Sequence, residues 1–139
     1  MVNKINFLYR ILDANINRAL EGLRVCEDTM RFVLNNYYLA LQLKNLRHRL
    51  NKIIIKMDRD KKMLLRARDI EKDIGKKSTS YELQRKNFKE VLFANLQRIK
   101  ESLRVLEEFS KIIDKRISQE YKNLRYEIYK IEKKIALSI

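Results

Sequence analysis

The stretch ANINRALEGLRVCED, residues 14–28, returns eighty positions later as ANLQRIKESLRVLEE, residues 94–108. In both copies the apolar residues recur at three- and four-residue steps, the period of an amphipathic helix. A second echo follows each copy in the same order, KNLRHRL at 44–50 and KNLRYEI at 122–128. A chain that writes a helix and its successor twice reads as an internally duplicated helical hairpin, and a pseudo-twofold axis would bring the two copies together.

Nothing interrupts that reading. The chain has no proline and only two glycines, Gly22 and Gly75, so the usual punctuation of strands and turns is scarce. Leu8, Ile11, Leu12, Ala19, Leu23, Cys26, Met30 and Val33 form a stripe for a first helix from about Asn3 to Leu34, stopping at Asn35-Asn36. Leu39, Leu43, Leu46, Leu50, Ile53 and Met57 mark a second helix over about 37–56. A polar connector, 57–78, carries a short helical pattern near 61–66. Thr79 with Glu82 three residues on fits a capping box and starts a third helix, with Leu83, Phe88, Leu92, Leu96, Ile99, Leu103, Leu106 and Phe109 inside, to about Ile113. A turn at 114–118 leads to a fourth helix over about 119–136, built on Tyr121, Leu124, Ile128, Ile131 and Ile135. Short loops make neighbouring helices antiparallel. The fold class expected is all-α: four long helices in a bundle built from two duplicated hairpins, a single helical domain over 1–139, with repeats at about 3–56 and 79–137. Long helices of this kind also pair between chains, so a homodimer is a further expectation.

The formal net charge is +14, which suits anionic partners such as phosphates, nucleotides or nucleic acid. The lysines are scattered, so a Lys-rich solvated surface explains the charge equally well. One cysteine, Cys26, excludes an internal disulfide. No apolar run approaches the ~20 residues of a membrane span, and the N-terminal MVNKINFLYR is charged. A cytoplasmic protein without a membrane segment is expected.

Polar residues break the apolar face at matching places. On a wheel of about 100° per residue, Asn15 lies near the centre of the arc shared by Leu8, Leu12, Ala19, Gly22 and Cys26, with Arg18 inside it. Asn95 and Arg98 are the counterparts. Buried amides and guanidinium groups need partners, so these pairs must satisfy each other, fix helix register, or line a polar pocket between helices. Glu21 and Glu101 sit at the edge of that face. Gly22 and Ser102 are small enough for close helix approach or for a ligand. Arg24, Glu27 and Asp28 turn away, as do Arg104, Glu107 and Glu108, which suits surface pairing at i,i+3 and i,i+4.

The connector segment ARDIEKDIGKKSTS, 67–80, is the other candidate. Arg66, Arg68, Lys76 and Lys77 can neutralise phosphate. Asp69 and Asp73 are hard carboxylate ligands suited to Mg²⁺. Gly75 frees the backbone ahead of a helix start that offers unpaired N–H groups to an anion. GKKS is no P-loop: Ile70 stands where the motif needs its first glycine and no strand precedes it. His48 and the tyrosines read as surface and packing, Cys26 as core, and no Cys/His metal spacing or Ser/His/Asp set is legible.

The blocks RILDANINRALEGLRVCED (10–28), LRHRL (46–50), ARDIEKDIG (67–75), ANLQRIKESLRVLEE (94–108) and LRYEIYKIEK (124–133), in that order, resemble the small helical domain often fused ahead of thiamine phosphate synthase. That family is assigned as a monofunctional hydroxymethylpyrimidine phosphate kinase. The resemblance implies transfer of phosphate from ATP, with Mg²⁺, to hydroxymethylpyrimidine phosphate, giving the diphosphate used in thiamine biosynthesis. Its motif residues fall on Asp13, Asn15, Arg18, Glu21, Gly22, Arg24, Glu27, Arg47, Arg68, Asp69, Asp73, Gly75, Asn95, Arg98, Glu101, Arg104 and Arg125. Joined to the physical reading, they give roles. Glu21, Glu101, Arg18 and Arg98 are the catalytic candidates. Asn15, Asn95, Asp13, Arg47 and Arg125 are placed at substrate, Arg68, Lys76 and Gly75 at the nucleotide phosphates, and Asp69 and Asp73 at Mg²⁺. The resemblance covers the helical domain alone, without the synthase barrel, and Cys26 stands where the motif often has an aliphatic residue. Two other classes stay open: a non-catalytic module acting on a separate thiamine phosphate synthase, and a basic nucleic-acid-binding helical protein.

Overall fold

A computed structural model describes residues 4–59 and 61–139. Asn3, the expected start of the first helix, lies outside the described residues. Helix α1 runs Lys4–Asp28 and passes into a five-residue π-helical turn, Thr29–Val33. Asn35 then adopts a left-handed conformation, φ 51°, which short polar side chains tolerate. Its neighbour Asn36 caps α2 (Tyr37–Met57), accepting from the Leu39 N–H at 3.1 Å. The asparagine pair therefore ends one helix and begins the next, where the sequence placed the break. A short α3 (Lys62–Ala67) lies on α1 through buried Leu64 and Ala67. The second hairpin is α4 (Phe88–Ser110) and α5 (Lys115–Ser138).

Helices α1 and α4 form the central pair. Helix α2 packs on α1, α5 packs on α4, and α2 meets α5 to close the bundle. The apolar stripes of α2 and α5 are buried at every expected position. Gly22 sits at a close approach of α1 to α4. A Cβ there would lie 2.9 Å from Ile99 Cγ1 and 3.3 Å from the Asn95 carbonyl. The small residue makes room for a helix, not a ligand. On α4 the matching Ser102 tucks its hydroxyl onto the Arg98 carbonyl at 2.8 Å.

Three boundaries differ from the sequence expectation. The Thr79–Glu82 hydrogen bond forms, at 3.3 Å, but a turn rather than a helix follows it, and Leu83 is exposed. The α4 cap is Asn87, which accepts from the Glu90 N–H at 2.9 Å while Glu90 accepts from Lys86. Local capping chemistry occurs twice there, and only the copy followed by a buried stripe propagates, since packing supplies most helix stability. Helix α5 starts earlier than expected because Asp114 accepts from the Arg116 N–H. The π turn shifts the register of the α1 stripe, so Val33 is exposed rather than core. Among the described residues no helix is long and apolar enough to cross a membrane.

Candidate functional site

The connector returns over α1 and makes a groove of about 850 Å³. Its polar lining is Arg10, Asp13, Asn15, Asn17, Arg18 and Glu21 from α1 with Arg68, Asp69, Lys72 and Asp73 from the connector. Ile70 and Ile74 with Val105 and Phe109 of α4 supply apolar walls. Two contacts staple the connector down. Buried Asp13 receives a fork from Arg68, Nε to Oδ2 and Nη2 to Oδ1, both at 2.8 Å. Arg10 Nη2 donates to the Asp69 carbonyl at 2.9 Å. Asn17 supports the first staple by donating to both the carbonyl and the carboxylate of Asp13. The hydrogen bond to Asp13, then its charge, raises the Arg68 pKa above the ordinary guanidinium value.

The inward-facing amide and guanidinium arrangement expected from the helix wheel is not what forms. Asn15 is buried, but its amide donates to the Ile11 carbonyl one turn back at 2.9 Å, and Asn95 does the same to Val91 at 2.8 Å. Arg18 and Arg98 are exposed, as are Glu21 and Glu101. A long side chain at the edge of an apolar arc keeps its charged head in water, which the wheel cannot register. Asn15 still meets Arg18, whose Nη1 lies 3.4 Å from Oδ1. Asn95, Arg98 and Glu101 do not line the groove, and Glu101 takes a hydrogen bond from Gln97.

The residues thought to turn away make the buried ion pairs. Glu27 and Glu107 are nearly inaccessible. Glu27 receives Arg47 from α2 at 3.2 Å and Arg24 from one turn back. Glu107 receives Arg125 from α5 at 2.9 Å and Arg104 in the same way. Each hairpin is thus tied by a carboxylate between two guanidinium groups. Burial works against the Arg125 charge, but bonds to Tyr129 and Glu107 hold its pKa above the ordinary value. The signal for these pairs was present as the repeated Arg of KNLR in the following helix; an isolated wheel shows one helix at a time.

Elsewhere in the connector, Asp73 accepts from the Gly75 N–H at 2.9 Å. Gly75 has no positive φ and a Cβ there would meet only Asp73, so its backbone freedom is unused. Lys76 lies against Glu71 at 3.9 Å, outside the groove. Neither stands before a helix start, because α4 begins at Phe88. Among the described residues no three His, Cys, Asp or Glu side chains converge as a metal cluster. Asp69 and Asp73 give the groove two carboxylates, a donor set that fits a Mg²⁺ ion sharing its shell with substrate phosphates and water. Sequence reasoning overlooked Arg10 and Lys72, whose place depends on where the connector lands.

A family model described as the ThiD2 family matches residues 10–134. A thiamine-phosphate synthase of Nostoc punctiforme is 45% identical over 126 residues, covering 90% of this chain and 34% of that protein. One from a Synechocystis species is 44% identical over 124 residues, 88% of this chain and 34% of the relative. One from Thermosynechococcus vestitus is 39% identical over 132 residues, 94% and 36% respectively. The chain spans about a third of the length of these curated relatives. No solved structure matches it.

Proposed function

We propose, from the premise that this chain belongs to the ThiD2 family, that it transfers a phosphoryl group from ATP to hydroxymethylpyrimidine phosphate in thiamine biosynthesis. The observation that carries the reading is the groove, where exposed cations, carboxylates and an apolar wall share one cleft. Phosphoryl transfer asks mainly for charge neutralisation and alignment. Arg18, steadied by Asn15, and Lys72 neutralise phosphate oxygens. The attacking atom is a phosphate oxygen of the pyrimidine phosphate, which bonds to the γ-phosphorus as ADP leaves, and Glu21 takes the proton of that phosphate where it is singly protonated. Asp69 and Asp73 would hold the Mg²⁺ that accompanies ATP, and bound there it would offset phosphate charge. Phe109, Val105 and Ile74 pack against the pyrimidine ring. Asp13 and Arg68 engage each other, so they act as the latch that sets the connector in place. The matched Glu27 and Glu107 clusters support descent from a duplicated hairpin, with the groove built in the first half. The reaction belongs in the cytoplasm, where ATP is at hand.

The test is diphosphate formation by the full chain with ATP and Mg²⁺. Arg18→Ala should lower kcat/KM by about a hundredfold, the scale for losing one donor aimed at developing charge. Arg98→Ala, outside the groove, should change it by less than about twofold. The reading is lost if no diphosphate forms, and the groove assignment is lost if Arg98→Ala is the variant that fails. A second reading rests on the curated relatives, all larger proteins of which this chain matches about a third: a module that binds a thiamine-phosphate synthase without turning over ATP.

A further inference from the structure

The C-terminal part of α1, the π turn and the start of α2 enclose a separate cavity of about 500 Å³. Its wall carries Arg24, Arg31, Lys44 and Arg47 against one carboxylate, Glu27. Four cations facing one anion leave three positive charges uncompensated. Glu27 is already engaged by two of them. Arg47 donates through Nε and Nη2 at 3.2 Å, and Arg24 through Nη1 at 3.2 Å. The Arg47 side chain is only 15% exposed, so the pair forms the floor of the cavity and Arg47 Nη1 is left with donors to offer. Arg31 lies over the Phe32 ring at 4.7 Å. Neither Arg31 nor Lys44 is in an ion pair among the described residues.

Like charges on flexible side chains normally spread into water, so a concave wall that collects four of them is a site for a counter-charge. The π turn matters because it supplies Arg31, and such turns concentrate at functional positions. The other hairpin gives an internal comparison. There Arg125 is covered: it donates to the Tyr129 hydroxyl at 3.0 Å and stacks on Tyr126 and Tyr129 at 5.2 and 5.6 Å. The corresponding positions of α2 hold His48 and Asn51, and among the described residues the hydrogen bonds of Arg47 go to Glu27. Both guanidinium groups are well buried, 15% exposed for Arg47 and 11% for Arg125, but one is packed under aromatic rings while the other lines a cavity.

We propose that this cavity is a second anion site, one that takes the phosphoryl end of a small phosphorylated ligand carrying two or three negative charges. It is not an extension of the groove. Arg18 and Arg24 are six residues apart on α1 and point about 120° apart, so both sites can be filled together. Tyr37 and Leu41 at the mouth offer contacts to whatever the phosphoryl group is attached to. The proposal stands whether or not the kinase reading does, because it concerns binding alone.

The test is a titration of the full chain with inorganic diphosphate, and separately with a non-hydrolysable ATP analogue, read by calorimetry and by amide chemical shifts. Saturable shifts in 24–47 are expected, beside any in the groove, and the affinities compared are those read from the 24–47 amides. The Arg31→Gln/Lys44→Gln double variant should weaken binding there about tenfold or more, since each charge-assisted phosphate contact is strong. It leaves the buried Glu27–Arg47 pair intact. The Lys133→Gln/Lys134→Gln variant of α5 removes the same charge elsewhere and should stay within about twofold. Tighter binding of the analogue than of diphosphate would make the source a nucleotide; equal binding would make it the phosphoryl group alone. Equal weakening in both double variants, shifts confined to the groove, or no saturable binding would overturn the proposal.

Discussion

Replacing Asp13 by asparagine should release the connector without unfolding the bundle. Asp13 is a buried carboxylate on α1, and Arg68 reaches it with two 2.8 Å bonds from the far end of α3. Asparagine keeps the volume and can still accept from Asn17, so packing on α1 is undisturbed. What goes is the charge-assisted fork. Breaking a fully buried pair costs about 3–5 kcal/mol and an exposed one at most about 1. With side chains 8% and 43% exposed, this pair falls between, at about 2 kcal/mol. At 1.4 kcal/mol per factor of ten, that shifts connector docking about thirtyfold. Leu64 and Ala67 still hold α3 on α1, so the melting temperature should barely move. Hydrogen exchange read by mass spectrometry should show the 68–75 peptide exchanging about thirtyfold faster, with α4 peptides unchanged. Adding Arg68→Gln should cost little more, since the partner has already gone. If exchange of 68–75 is unaffected in Asp13→Asn, the latch does not hold the connector and the groove has no defined shape to do chemistry with.

Arg125→Ala strands buried Glu107 with only solvent-facing Arg104 and should cost about 3 kcal/mol, or about 10 °C in Tm. An unchanged melting temperature would contradict it. Gly22→Val pushes methyl groups into Ile99 and the Asn95 carbonyl and should destabilise by about 2–3 kcal/mol in a denaturant melt. Burial pushes the Cys26 thiol from 9.0 up to about 12. A pKa raised on folding gives stability present in full below about pH 9 and lost as pH climbs toward 12. Cys26 should therefore resist thiol reagents in the folded state, and Cys26→Ala should flatten the alkaline fall in stability.

Much of the bundle was legible in the residues themselves. The stripes of α2 and α5 and the break at Asn35-Asn36 follow from helix period and capping, which depend on neighbours within a turn or two. Apolar spacing carries the first helix on to Leu34, because a π turn is a local change of pitch that the spacing does not mark. The Thr79–Glu82 pair starts no helix, because a capping pair forms whether or not a buried face follows it.

The candidate site divides in the same way. The sequence supplied its chemistry: Asp13, Asn15, Arg18, Glu21, Arg68, Asp69 and Asp73 were each picked out and all line one groove. The second-repeat counterparts of Asn15, Arg18 and Glu21, which are Asn95, Arg98 and Glu101, do not line that groove. Whether a helix residue at the edge of an apolar arc points into a neighbour or into water is fixed by which helix packs beside it. Hence Arg18 turned outward, Glu27 and Glu107 turned inward, and Arg10 entered the site because the connector lands beside it. Local spacing determined the helices and the inventory of charged groups. Only tertiary packing decided which charges are desolvated, since desolvation is imposed by residues far away in the chain.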